Sequence, residues 1–565
     1  MSYNLTSAAG LEDIPDSDIE ELSQSQSVRS DSDPDYVPPP SSSADELSGS
    51  AQSDNEESLF YQYIDAKKAI IFLPSLLQLF SVCRVPGCGS AVDQDDINIK
   101  TNGAMVSVAC LCNSGHKTDW DSGPMLGTGT RAVAVINILL ATYCLITGLH
   151  LQQILDFFQH LRIWCFGKSF FYNLQEKALQ KIIWAQWQFQ QKKCLDMVKE
   201  NQISGYPINL ASDGKYDSPG FTAAYCTYTV QDLRTQAIVG IYVAHKNQVK
   251  SSSEMEPFAA KTLLLNLAVE HSLQITSITT DRSSSVKTAI SELAEELPED
   301  YSPIVHYYDI WHFIKSILKD LWKACKLKTC SDLQEWIPSI TNQLWWSFSS
   351  SIGNHEMLRE KILSITGHIT NQHIFPTNNQ HRQCSHVIPI TQDRDKKWLS
   401  PDSLAVKKVR GALLGHENCR IKELEHMLGF THTGLIESWN ALNNKYANKH
   451  FYYSSAGMFT RAALTAIDWN SNLNRQQART QAGHLKYDLV SNRAGNKWFV
   501  KSVMEEKDHS WRDATAELVL QSVSLRKCPP CVIPVAGPGD KIRGAIERPL
   551  KTEAVKKHQT RIAKK

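Results

Sequence analysis

The chain is 565 residues long, enough for two to four domains with cores of ordinary size. Hydrophobic residues at 42% and aromatics at 9% exclude a wholly disordered or fibrous protein. Net charge is zero, yet residues 1–57 carry fourteen Asp or Glu against one Arg, so the remainder carries +13. An acidic head with a basic body and tail fits a nucleic-acid binder with a solvating extension, the bland alternative being two solvated ends. The most apolar window, Ala132 to Leu149, is broken by Asn137, Thr142 and Thr147, so no transmembrane helix is expected. The N-terminus has no basic start and no apolar run, so the expectation is a soluble, intracellular protein.

Along the chain, residues 1–57 are rich in Ser, Asp, Glu and Pro, which predicts a disordered acidic tail. Residues 58–126 combine Cys, His and Gly with short polar strands. Over 127–200, the segments RAVAVINILLATYCLITG, LHLQQILDFFQHL and GKSFFYNLQEKALQKIIWAQWQ space their apolar residues near 3.6, which predicts helices. Between 201 and 309 the period changes. YPINLASD, AAYCTYTV and QAIVGIYVAH read as three consecutive strands, followed by the helix PFAAKTLLLNLAVEHSL. ITSITTD then reads as a strand, SVKTAISELAEEL as a helix and IVHYYD as a fifth strand, giving the order βββαβαβ. Residues 310–430 read as a helical, Trp-rich insertion, and 431–480 as further helices. Residues 481–565 read as polar and less periodic, ending in a basic tail from Lys541.

Carboxylates fall at telling places on this order. Asp213 is expected to end the first strand, Asp281 the fourth, and Glu437 to sit on the helix after the insertion. Strand ends project side chains outward from a sheet, and a helix packed across it brings in a third carboxylate. Three converging carboxylates are what two hard divalent cations need. The bland alternative is that the two Asp merely start turns. Asp309, in HYYDIWH, either supports the site from behind or caps the next helix, and the cap is the preferred reading. Asp217, in KYDSPG, reads as a turn residue.

These residues, with HYYDIWHFIKSI, HTGLIESWNALNNKYANKHFYY and FTRAALTAIDWNSNLNR, resemble the catalytic core of DDE transposases over residues 80–480. The resemblance implies an α/β fold with an RNase H-like core (βββαβαβ–α) interrupted by a large helical insertion and preceded by a small zinc module. It implies catalysis by Asp213, Asp281 and Glu437 holding Mg²⁺ or Mn²⁺, with DNA (transposon ends and target) as partner. A homo-oligomer on DNA in the nucleus is the matching expectation. Two alternatives stay open. One is a non-enzymatic DNA-binding protein derived from a transposase, the other an RNase H-like nuclease with different substrates.

Fourteen cysteines without a signal peptide point to metal ligands and buried thiols rather than disulfides. Cys83-x4-Cys88 and Cys112-x3-His116 form two pairs whose spacing suits a tetrahedral structural Zn²⁺, with Cys110 competing for the place of Cys112. Reduced, buried thiols are the bland alternative. A weaker set in the insertion, His368-x4-His373 and Cys384-x-His386, also offers four zinc ligands, and His381 is a substitute for one of them. Exposed polar loop residues are the bland alternative there. Cys528 and Cys531 have no second pair nearby and stay unassigned. Residues 149–182 read either as a helix-turn-helix, with Lys168, Ser169 and Asn173 facing DNA, or as an ordinary helical hairpin.

Overall fold

Strands with apolar residues on both faces form the centre of the molecule. In the computed structural model, which describes residues 59–218, 222–299, 301–386, 396–491, 498–534 and 550–558, they build a five-stranded mixed sheet. The acidic segment 1–57 lies outside the described residues, as does most of the basic tail. Before the sheet come a three-stranded antiparallel sheet, β1 (Ile97–Asn102), β2 (Met105–Leu111) and β3 (Lys117–Asp121), and the helices α1 (Val135–Ile146) and α2 (Leu151–His160). Helix α3 (Lys168–Leu174) passes through one π-helical turn straight into α4 (Gln180–Ile203).

The central strands are β4 (Ile208–Tyr216), β5 (Tyr225–Asp232), β6 (Ile238–His245), β7 (Ile275–Thr280) and β8 (Val305–Tyr308). Helices α5 (Met255–Val269) and α6 (Ser284–Glu296) supply the connections either side of β7. Their spatial order is β8-β7-β4-β5-β6, with β4, β5 and β6 antiparallel and β4, β7 and β8 parallel. The chain order βββαβαβ expected from the periodicity is present. Every residue of β5 is buried, because helices cover the sheet on both sides. Tyr228, Val230 and Val239 pack against Ala259, Leu263 and Leu264 of α5, while Tyr225, Ile241 and Val243 join a cluster with Trp187, Trp439 and Phe459.

After β8 the chain builds a separate helical core from α7 (Ile310–Cys325), α8 (Ile337–Ser349), α9 (His355–His368) and α10 (Leu404–Leu414). Trp336 and Phe313 are fully buried within it, as core rather than as exposed stacking platforms. The chain then returns to the sheet through α11 (Gly434–Tyr446) and α12 (Ser455–Asn470). The end of the chain differs from the expectation of a polar tail. Residues 481–534 contain a hairpin, β9 (Tyr487–Ser491) and β10 (Trp498–Ser502), and a helix, α13 (Ser510–Leu525). Trp511, Ala516, Val519 and Leu520 of α13 join the cluster that holds α1, so this stretch is not all tail. Polar residues between its few apolar ones masked the helical period. Among the described residues no helix is long and apolar enough to cross a membrane.

Gly148 ends α1 with φ +80°, and a Cβ there would lie 2.7 Å from the carbonyl oxygen of Lys445 on α11. Close backbone contact at a left-handed position requires glycine. Gly148→Ala is therefore expected to destabilise the protein by about 2 kcal/mol, read as a fall in melting temperature. An unchanged melting temperature would show that the α1–α11 contact is loose.

Candidate active site and metal centres

Parallel pairing of β4 with β7 aligns Ala211 with Thr279, so Asp213 and Asp281 follow at the same level on neighbouring chain segments. Asp213 does not end its strand as expected. It lies within β4, which continues to Tyr216 because its antiparallel pairing with β5 outlasts the parallel pairing with β7. The pairing of β4 with β7 stops two residues before this level, at Ala211 and Thr279. Asp281 follows the last residue of β7, as expected.

Glu437 comes from the first turn of α11, across the insertion. Side chains pin that helix in place. Thr279 donates to Thr431 at 2.7 Å, and Thr433 donates to Asp309 Oδ2 at 2.8 Å, which fixes the approach to α11. Further along, Asn440 Nδ2 donates to Asp213 Oδ2 at 2.6 Å, and Lys215 Nζ donates to Asn443 Oδ1 at 2.7 Å. Glu437, Asn440 and Asn443 recur every third residue on one helix face, while Asp213 and Lys215 share one face of the strand. The two periods interlock.

His312 sits among the acids. Its Nδ1 is 2.6 Å from Asp309 Oδ2 and 3.0 Å from Asp281 Oδ1, and its Nε2 is 3.2 Å from Glu437 Oε1. Asp281 and Glu437 thus meet on one imidazole. Burial alone would lower the basicity of His312, but the hydrogen bonds to Asp281, Asp309 and Glu437 outweigh it and push its pKa up to about 12. Asp309 serves both of the roles weighed for it. Its Oδ1 accepts from Trp311 N at 2.9 Å, capping α7, while its Oδ2 holds His312 and Thr433. Burial would raise its pKa, but the bonds from His312, Thr433 and the Trp311 amide hold it below the usual carboxylate range.

A further carboxylate lies close by. Glu256, in the first turn of α5, accepts from the Tyr216 hydroxyl at 3.4 Å, and a Cβ on Gly214 would fall 2.6 Å from its Cγ. Burial, then the charges of Asp281 and Glu256, push Asp213 up to about 8. Burial, then Asp281, push Glu256 up to about 7. Burial is the larger cause of both, and the crowding of negative charge adds to it. Sequence reasoning missed Glu256, His312 and Asn440 as site residues. The three-residue step from Asp309 to His312 at a helix start was a usable signal, since it puts both on one face; nothing local marked Glu256.

Two Cys/His groups are also assembled. Cys83, Cys88, Cys112 and His116 offer ligand atoms all within 4.8 Å of one another. His116 Nδ1 is 3.3 Å from Cys88 Sγ, 3.6 Å from Cys112 Sγ and 3.9 Å from Cys83 Sγ. Cys110, the competitor, is buried and outside the group. His368, His373, Cys384 and His386 form the second group, and His381 is not among them, since its ring packs on Phe375 and Trp346. Cys528 Sγ bonds the Lys177 carbonyl and Cys531 Sγ bonds Gln188 Oε1, and neither joins a ligand group among the described residues. All fourteen cysteines are free. Lys168, Ser169 and Asn173 are exposed, while Phe171 and Leu174 bury the other face of α3. Asp217 accepts from Ala224 N at 3.0 Å, across the loop between β4 and β5.

The family model of the Mutator-like transposases matches residues 244–388. Over that stretch the chain is similar to Mutator-like transposases. The matched stretch runs from the end of β6 into the insertion and contains Glu256, Asp281, Asp309 and His312, whereas Asp213 and Glu437 lie on either side of it. Transposases bind DNA, so DNA is the partner the family implies. No curated protein and no solved structure matches the chain.

Proposed function

We propose that this transposase-related protein is a DDE-type DNA transposase. Its RNase H-like core would cut DNA at transposon ends and join the freed 3′-hydroxyl to target DNA. The observation that supports this most is the convergence of Asp213, Asp281 and Glu437 from two neighbouring strands and a helix packed across them. The donor set fits Mg²⁺ or Mn²⁺. Carboxylate oxygens suit hard cations, and Asp281, Asp309 and Glu437 meet at the His312 imidazole, with Asp213 and Glu256 close by. Asp213, Asp281 and Glu437 would hold two such ions, whose chemistry would be activation of the attacking oxygen and stabilisation of the leaving oxygen.

The chain's own part is orientation. His312 holds Asp281 and Glu437 toward one point, while Asn440 and the Gly214 amide, the latter at 2.7 Å, hold Asp213. Three thiolates and an imidazole in the Cys83, Cys88, Cys112 and His116 group fit Zn²⁺ in a structural role. The exposed Lys168, Ser169 and Asn173 would contact DNA, and pairing of two transposon ends calls for a homo-oligomer. The test is incubation of the full chain with DNA carrying its element's terminal repeats and Mg²⁺. Nicked ends and strand-transfer products are expected. Specific binding with no cleavage in either Mg²⁺ or Mn²⁺ would instead identify a DNA-binding derivative.

The tail from Lys541 holds nine Lys or Arg against two Glu and would supply nuclear targeting and affinity for DNA of any sequence. Deletion of residues 541–565 is expected to weaken binding uniformly across sequences and to reduce the slope of log affinity against log salt. Each phosphate that the shortened chain no longer neutralises reduces that slope by about 0.9. An unchanged slope would rule the tail out as a DNA-binding element.

A further inference from the structure

We propose that His368, His373, Cys384 and His386 hold a structural Zn²⁺ that staples the returning segment of the helical insertion to its core. The site is independent of the carboxylate cluster and of the N-terminal module. Its ligand atoms all lie within 4.8 Å of one another, and His368 Nδ1 is 3.4 Å from Cys384 Sγ. A nitrogen and a sulfur sharing one tetrahedral zinc lie about 3.6 Å apart, given bonds of about 2.1 and 2.3 Å. One thiolate with three imidazoles is a borderline donor set that suits zinc over magnesium or calcium.

The backbone is shaped for this grouping. His368 ends α9, and the chain reverses through Asn371 at φ +65°, with Gln372 N donating to Gly367 O at 3.0 Å. That turn carries His373 back beside His368, their rings 4.9 Å apart. Two backbone bonds, Phe375 N to Arg382 O at 2.7 Å and Cys384 N to His373 O at 3.0 Å, then set Cys384 against His373. His386 reaches both imidazoles, at 5.3 Å from His368 and 4.8 Å from His373.

The stretch between the ligands is polar and has little apolar surface with which to fold. Its tip is held by Glu360, whose carboxylate accepts from the amides of Asn379, Gln380 and His381 at 2.6 to 2.8 Å. The ligand end needs an equivalent anchor, and four protein ligands with no open position make the metal structural rather than catalytic. What it anchors is visible in the packing. His368 and His373 lie against Trp398, whose ring is tilted against Trp336 at 5.2 Å, while Trp336 Nε1 donates to Lys397 O and Leu399 N to Ile369 O. The metal therefore fixes the segment that leads into α10, and through it the insertion's own core.

Metal analysis of the purified full chain tests this without any activity measurement, so its result is separate from that of the cleavage assay. Two zinc equivalents per chain are expected, one in each Cys/His group. Cys384→Ser and His386→Asn should each retain one equivalent, and pairing either with Cys112→Ser should leave none. His386 is exposed, so its substitution removes a ligand without opening the core. In the cobalt-substituted Cys112→Ser chain, the remaining tetrahedral spectrum should carry a single thiolate charge-transfer contribution, lost with Cys384. One equivalent in the wild type, or two retained in both insertion variants, would overturn the proposal.

Discussion

Asp213→Asn, Asp281→Asn and Glu437→Gln are each expected to lower Mg²⁺-dependent end cleavage by about 10³-fold or more while leaving DNA binding within a few-fold. Each amide keeps the shape of its carboxylate and removes the charge that holds a divalent ion. Losing about 4 kcal/mol of transition-state stabilisation corresponds to that factor. Mn²⁺ should replace Mg²⁺, and Ca²⁺ should support binding without turnover. The same variants carry an internal control on stability. Asp213 is crowded by the charges of Asp281 and Glu256, so in chelator Asp213→Asn should melt no lower than the wild type, and higher if the repulsion is relieved. Glu437→Gln instead removes one of the partners of His312 and should melt lower. Full cleavage by all three variants would end the DDE reading.

Removal of zinc from the N-terminal module is the second large effect. Chelation is expected to unfold residues 80–121 while the central sheet remains intact. The module's small cluster is built largely from its own ligands, Cys83 and Cys112 with Val92 and Cys110, and Phe80, Cys88 and Ile97 around them. So little apolar surface cannot offset the ordering entropy of about 1–2 kcal/mol per residue. Structural zinc sites contribute about 10 kcal/mol or more to such modules. Hydrogen exchange should lose protection across β1, β2 and β3 and retain it in β5 and β6. Cys83→Ser and Cys112→Ser should each lose one zinc equivalent and show the same exchange pattern without chelator. A module that stays protected after complete metal removal would show that its fold rests on the β1–β2 turn docked to Asn137, through bonds of 2.8 Å to Ala104 N and Asn102 O.

The elements were legible in the sequence wherever one period dominated. Apolar residues on both faces marked β5 and β6, and the 3.6 spacing of IWHFIKSILKDLWKAC matches α7 from Ile310 to Cys325. The hairpin and helix after Gln481 were not legible, because α13 is anchored by a few apolar residues on one face and its order comes from packing on α1. Asp213, Asp281 and Glu437 are candidates that element order alone singles out, although Asp213 lies inside its strand rather than at the end.

Sequence by itself determined which side chains carry charge and donor atoms, and their places along strands and helices, since both depend on local periodicity and residue type. Only tertiary structure decided which of them meet. Asp281 and Glu437 are separated by 155 residues of chain, and they share one imidazole because Thr431, Thr433 and Asn440 dock α11 against the sheet, while the insertion between them packs on its own core. Glu256 enters the site because Gly214 lacks a side chain that would exclude it. Such meetings depend on close approach between distant elements, where the free energy lies in packing and charge at short range rather than in any run of neighbouring residues.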